Sequence, residues 1–135
     1  MRILFVDDNE GLVELFKTLA DFVGFEGIGM TSSPRAIEYL NLADNIDITI
    51  MDLALPTIDG LTAIKTIRMN ENSQGMARSR ILIYTGHDFD YNDPYDPTSI
   101  SLKELGIPRE DVHYKKEPLS DLLKNLGEAK NANIN

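Results

Sequence analysis

Five short apolar runs, each separated from the next by a stretch long enough for one helix, constrain this chain more than any other feature. They are Ile3-Leu4-Phe5-Val6, Phe25 to Met30, Ile46 to Met51, Ile81 to Tyr84 and Val112 to Lys115. Short apolar runs without polar alternation suit strands buried on both faces, the condition of a parallel sheet covered by helices. The intervening segments supply those helices. After the first run Asp8 or Asn9 can cap a helix with Leu12, Leu15, Phe16, Leu19 and Phe22 at helical spacing, and Gly24 stops it. Ser32-Ser33-Pro34 opens a second helix through Ile37 and Leu40. Asp59-Gly60 opens a third carrying Leu61, Ile64 and Ile67, which ends in the polar stretch Asn70 to Gly75. A short helix from about Ser99 to Leu105 and a last one from Ser120 to about Glu128 complete five strand and helix units. Strands alternating with helices specify an α/β domain with a doubly wound parallel sheet.

At 135 residues, 42% of them hydrophobic, the chain can bury one sizeable core. The reading is a single domain over 1–129, followed by a short polar tail at 130–135. A formal net charge of -9 speaks against nucleic acid and against an anionic membrane surface, since both require clustered Lys and Arg. With no cysteine there is no disulfide or thiol chemistry. No apolar run approaches the ~20 residues of a membrane span, and Met1-Arg2 leads directly into a strand. The expected location is cytoplasmic.

Three of the runs end in polar islands: Asp7-Asp8, Asp52 and Thr85-Gly86. In an open α/β sheet the ligand sits beyond the carboxyl ends of the strands, so three carboxylates and a hydroxyl are expected to converge at one edge. Taken singly, Asp7-Asp8 is a helix cap and first-turn acid, and Thr85 the start of a turn. Taken together they describe one site.

The set resembles the receiver domain of two-component response regulators, in its single-domain chemotaxis-type form, over nearly the whole chain. The matching residues are Asp7-Asp8, Asp52 with Leu53-Ala54-Leu55-Pro56-Thr57-Ile58-Asp59-Gly60 after it, and Thr85-Gly86. The resemblance implies a flavodoxin-like (βα)5 fold with strand order 2-1-3-4-5. It also implies a histidine kinase or phosphotransfer protein as phosphodonor, and a downstream protein target.

The chemistry of each position fits. A carboxylate can attack phosphorus to form an aspartyl-phosphate, but two anions must first be brought together. Mg²⁺ (or Mn²⁺) solves that problem with one or two carboxylates, phosphate oxygens and waters at ~2.0–2.1 Å. By resemblance Asp52 is the phosphoacceptor and a metal ligand, Asp8 a direct ligand, Asp7 a ligand through water, and Ala54 a ligand through its backbone carbonyl. Thr85 is the switch hydroxyl and Tyr114 the switch aromatic. Receivers read aromatic, two residues, Lys-Pro on strand five, where this chain reads Tyr114-Lys115-Lys116-Glu117-Pro118. A gap-free match puts Glu117 in the lysine's place, and a bulge would put Lys116 there. Lys116 is the expected phosphoryl contact, because Asp7, Asp8 and Asp52 otherwise lack a protein cation.

Other readings remain beside this one. Glu117 favours a pseudo-receiver, a docking module that is never phosphorylated. An aspartyl-phosphate phosphohydrolase usually carries a second aspartate two residues after its nucleophile, and here that residue is Ala54. A flavodoxin-type cofactor carrier is opposed by Asp7-Asp8-Asn9-Glu10, which would repel a cofactor phosphate. The expected chemistry is therefore self-phosphorylation and self-dephosphorylation, not turnover as an enzyme. Between His87 and Thr98, four aspartates with Pro94 and Pro97 resist helix and central strand. This acidic loop lacks the spacing of a calcium-binding EF-hand and reads as an insertion reshaping the helix after it. His87, which opens it, reads as a solvated loop residue.

Overall fold

The strands hold the register that buries them. A computed structural model describes residues 1–42 and 45–134, with the side chains of 130–134 left aside. The five strands are β1 (Arg2–Val6), β2 (Glu26–Met30), β3 (Ile48–Met51), β4 (Arg80–Thr85) and β5 (Val112–Tyr114). The five helices are α1 (Glu10–Val23), α2 (Ser33–Leu42), α3 (Gly60–Ser73), α4 (Pro97–Glu104) and α5 (Leu119–Ile134). All strand pairs are parallel, in the order β2-β1-β3-β4-β5. This is the expected doubly wound sheet.

Alternation along each strand sends neighbouring side chains to opposite layers. Ile3, Phe5, Ile48 and Ile50 pack with Phe16 of α1 and with Leu122, Leu123 and Leu126 of α5. Leu4, Val6 and Met51 pack with Ala36 of α2, Ile64 and Ile67 of α3, and Leu102 of α4. Phe5 and Phe16 stack with centroids 4.7 Å apart. Each large side chain taken out of water in these layers contributes about 1.5–3 kcal/mol. Such burial, more than helix propensity, holds the short helices in place.

Two boundaries differ from the sequence reading. The last helix does not end near Glu128: its backbone continues to Ile134, because no proline follows Gly127 and nothing else stops it. The expected tail at 130–135 is thus mostly helical backbone, and Asn135 lies outside the described residues. The third strand starts at Ile48 rather than Ile46, with Asp47 turned to accept the Arg2 backbone N–H at 2.7 Å. The acidic segment is irregular, as its prolines require, and Asp96 caps α4 by accepting from Thr98 and Ser99 N–H.

A buried charge pair fixes the far end of the molecule. Arg68 Nη1 donates to Glu71 Oε1 at 2.8 Å and to Ser79 O at 2.9 Å, and Nε donates to Leu105 O at 2.9 Å. The Ser79 backbone N–H donates to Glu71 Oε2 at 2.7 Å. Burial pushes the Glu71 carboxyl up, but the bonds from Ser79 and Arg68 outweigh it and hold it below its ordinary value of 4.5. A depressed carboxyl stabilises above its unfolded pKa and loses that contribution as pH falls through its folded value. Glu71→Ala, which leaves Arg68 buried without its partner, should cost about 3–5 kcal/mol in urea denaturation at neutral pH. The gap from wild type should narrow as the pH drops below about 4.5. A pH-independent gap would show that the charge of Glu71 is not what matters.

Candidate functional site

The carboxyl ends of β1, β3 and β4 lie side by side because the register pairs Val6 with Met51 and Met51 with Ile83. The residues that follow are therefore neighbours. The Asp52 backbone N–H donates to Val6 O, and the Asp7 N–H to Met30 O, each at 3.1 Å. Asp7 and Asp52 are buried, while Asp8 is exposed at the rim. The three carboxylates each place an oxygen within 4.8 Å of the others. The expected convergence of Asp7, Asp8 and Asp52 is observed.

The cation beside them is Lys115, not Lys116. Its Nζ lies 2.8 Å from Asp7 Oδ2 and 3.1 Å from Asp52 Oδ2. The last rung of the β4–β5 ladder, from the Lys115 N–H to Thr85 O at 2.8 Å, seats Lys115 beside the site. The chain then leaves the sheet in a turn closed by the Glu117 N–H on Tyr114 O at 2.9 Å. Lys116 is exposed on that turn. Glu117 faces His113, 2.9 Å from Nδ1, and its carbonyl accepts the Tyr84 hydroxyl at 2.7 Å. The two residues between Lys115 and Pro118 are thus absorbed by the turn, and counting back from the proline misled the sequence reading.

With Lys115 in the lysine's place, the family spacing puts Val112, not Tyr114, at the aromatic's position. Tyr114 precedes Lys115 directly, so the two side chains leave opposite faces of the strand. The Tyr114 hydroxyl donates to Phe89 O at 2.9 Å and its ring tilts against Phe89 at 5.5 Å, which ties β5 to the acidic segment. Thr85 is fully buried, and its hydroxyl oxygen accepts the His87 N–H at 3.1 Å. His87 is exposed in the loop, as expected, and its ring lies over that of Phe89 with centroids 6.0 Å apart.

The loop after Asp52 is fixed by its own backbone. The Ala54 N–H points at Asp52 Oδ1, 3.3 Å away, and Asp59 caps α3 by accepting the Thr62 N–H at 2.9 Å. Ser33 donates to Ile58 O at 2.5 Å, tying the start of α2 to this loop. Thr57 holds φ 69°, a strained value for a β-branched residue. Gly60 is required by contact: a Cβ there would sit 2.1 Å from the Asp52 carbonyl oxygen.

The electrostatics leave room for a further cation. Burial pushes the Asp7 carboxyl above its ordinary 3.8, and Lys115 and the Asn9 N–H only partly offset it. Burial alone would lower Lys115, but Asp7 and Asp52 outweigh it and hold the ammonium above its ordinary 10.5. Asp7 Oδ2 is buried and its one close neighbour is the Lys115 ammonium at 2.8 Å, which it shares with Asp52. Three carboxylates face one ammonium, and every donor is a hard oxygen. That set fits Mg²⁺ or Mn²⁺, with Asp7, Asp8 and Asp52 as the residues to hold it.

Two substitutions separate these contributions. Lys115→Met removes the ammonium that competes with a divalent cation for Asp7 and Asp52, and should raise Mg²⁺ affinity roughly tenfold by titration calorimetry. Lys116→Met should leave it within about twofold, as befits an exposed charge. Equal effects would contradict the assignment of Lys115. Gly60→Ala should displace the Asp52 carbonyl, cost about 1–3 kcal/mol in thermal or urea unfolding, and weaken Mg²⁺ binding in the same calorimetric assay.

Comparison with known proteins places this geometry. The family model for the response regulator receiver domain matches residues 3–93. The CAI-1 autoinducer sensor kinase/phosphatase CqsS of Vibrio cholerae is 31% identical over 85 residues, covering 63% of this chain and 12% of that protein. The uncharacterized transcriptional regulatory protein YrkP of Bacillus subtilis is 31% identical over 107 residues, covering 77% of this chain and 46% of that protein. The chain thus spans less than half the length of these two relatives. Among solved structures, a response regulator receiver protein from Pseudomonas putida superposes with a TM-score of 0.72 at 25% identity, covering 94% of this chain and 95% of that one. A CheY-like receiver domain protein from Methanospirillum hungatei superposes with a TM-score of 0.71 at 20% identity, covering 95% and 91%. Among the described residues no helix is long and apolar enough to cross a membrane.

Proposed function

The chain belongs to the response regulator receiver family, and from that premise we propose that residues 1–129 accept a phosphoryl group on Asp52 and switch a protein-interaction face. The observation that carries the reading is the meeting of Asp7, Asp8 and Asp52 with the Lys115 ammonium at the carboxyl edge of the sheet. Receiver domains are signalling domains, so the expected reaction is one transfer onto the chain and its later hydrolysis. The donor is a histidine kinase or phosphotransfer protein. An Asp52 oxygen attacks phosphorus, the O–P bond forms as the N–P bond to the donor histidine breaks, and the imidazole leaves.

The residues have distinct parts in this step. Lys115, already 3.1 Å from Asp52 Oδ2, is the cation that follows the negative charge onto the phosphoryl oxygens. Asp7 and Asp8, with Asp52 and the Ala54 carbonyl, would hold Mg²⁺. When bound, the ion neutralises the repulsion between the carboxylate and the incoming phosphoryl oxygens. The receiver domain of the histidine kinase CKI1 from Arabidopsis thaliana, similar in fold at a TM-score of 0.71, has been solved complexed with Mg²⁺. Thr85 turns its hydroxyl from the His87 N–H toward the phosphoryl group and so reports the modification. Lys116 is left out of the site, and Tyr114 enters the switch through its bond to Phe89 O. Glu117, whose aligned position favoured an unphosphorylated docking module, is occupied with His113. The same reading puts the chain in the cytoplasm, with a protein as its direct target. A net charge of -9 agrees with neither nucleic acid nor membrane being that target.

Incubation with acetyl phosphate and Mg²⁺ should add one phosphoryl group by intact mass, removable with hydroxylamine. Asp52→Asn should abolish it, and chelation of the metal should reduce it at least roughly tenfold. A chain that stays unmodified with metal present, and that binds no beryllium fluoride, is not a phosphoacceptor.

A further inference from the structure

Three successive residues at the end of β4 meet Lys115 or the turn that follows it. Thr85 O accepts the Lys115 N–H at 2.8 Å. A Cβ on Gly86 would lie 3.8 Å from Lys115 Cδ, so the lysine stem runs close past that residue. Tyr84 reaches the turn itself, where its hydroxyl donates to Glu117 O at 2.7 Å.

The ring of Tyr84 is buried in the apolar layer under α1 and α5, with Phe5 at 6.5 Å and Leu119 and Leu122 in the same cluster. A phenol in such a layer must find a partner for its hydroxyl, and here the partner lies at the rim of the functional site. Burial pushes the Tyr84 phenol above its ordinary 10.0, so the group keeps its proton and remains a donor. The strand register pairs Tyr84 with His113, which places the two on the same face of the sheet. They hold one residue from two sides. Tyr84 takes the carbonyl of Glu117, and His113 Nδ1 lies 2.9 Å from its carboxylate.

The length of the turn is what makes this hold matter. Lys116 and Glu117 stand between Lys115 and Pro118, and Lys116 is exposed. The bond from the Glu117 N–H to Tyr114 O and the contact with His113 both join β5 to its own turn, and would travel with it. The bond from Tyr84 crosses to the neighbouring strand. We propose that Tyr84 is a positioning residue, which by holding Glu117 O fixes the turn after Lys115 and keeps the ammonium between Asp7 and Asp52. Glu117 is then the anchor of the lysine, not its replacement. The use of Lys115 toward an incoming phosphoryl group rests on the phosphoacceptor reading above, whereas its seating in the unmodified chain does not.

Tyr84→Phe tests this, because it keeps the ring in its layer and removes only the hydroxyl. Mg²⁺ titrated calorimetrically into the unmodified chain should bind about threefold more tightly than to wild type, since a loosened ammonium competes less for Asp7 and Asp52. Made in the Lys115→Met background, the same substitution should change the affinity by less than about 1.5-fold. In NMR of chain labelled at lysine Nζ, the Lys115 ammonium signal, assigned by its loss in Lys115→Met, should be sharp in wild type and broadened in Tyr84→Phe. An unchanged Mg²⁺ affinity, equal effects in the two backgrounds, or an unaltered Lys115 signal would show that the hydroxyl serves the core alone and would overturn the proposal. If both responses are seen while acetyl phosphate leaves the wild type unmodified, the phosphoacceptor reading fails and the positioning role of Tyr84 stands.

Discussion

Everything at the carboxyl edge depends on one ammonium group shared by two carboxylates. Asp7 and Asp52 are both nearly inaccessible to water, at 1% and 4% exposure, and two buried anions side by side are costly without a cation. Lys115 meets that cost from β5, across the width of β4. The consequence is a site whose charge balance is incomplete by design. One positive charge faces three negative ones, so the folded chain already favours whatever brings more positive charge to the rim.

The sheet makes this possible at little expense. Parallel strands end together, and their peptide groups are paired until the last residue, so each terminal side chain is aimed by a ladder rather than by a loop. Asp7, Asp52 and Lys115 all stand one residue past, or at, such a rung. Their positions are therefore inherited from the apolar runs that precede them. Packing of Val6, Met51 and Ile83 is, in effect, the support of the polar site.

That inheritance explains what the sequence made legible. The two helix-covered layers and the meeting of Asp7, Asp8 and Asp52 followed from buried runs and strand-end acids, which are local patterns, whereas the strand order came from the family resemblance. Lys115 was missed because its role depends on where β5 leaves the sheet, a matter of one turn. Three consecutive charged residues offer no hydrophobic period from which to read that exit. The continuation of α5 to Ile134 was missed for a related reason: asparagine and alanine carry no stop signal, and a polar composition was taken for an end. The stacking of His87 on Phe89 was equally hidden, since a tertiary contact between loop residues leaves no periodic trace.

The Arg68 cluster has a mechanical meaning beyond stability. It grips the carbonyl of Leu105, the residue at the end of α4, while near the other end the buried Ser99 hydroxyl donates to Tyr91 O and the Tyr91 hydroxyl donates to Ile107 O. The helix is thus tied at both ends. α4 and the irregular segment after Thr85 form one bonded unit, spliced to α3 through Arg68, with the exposed Tyr95 at its outer corner.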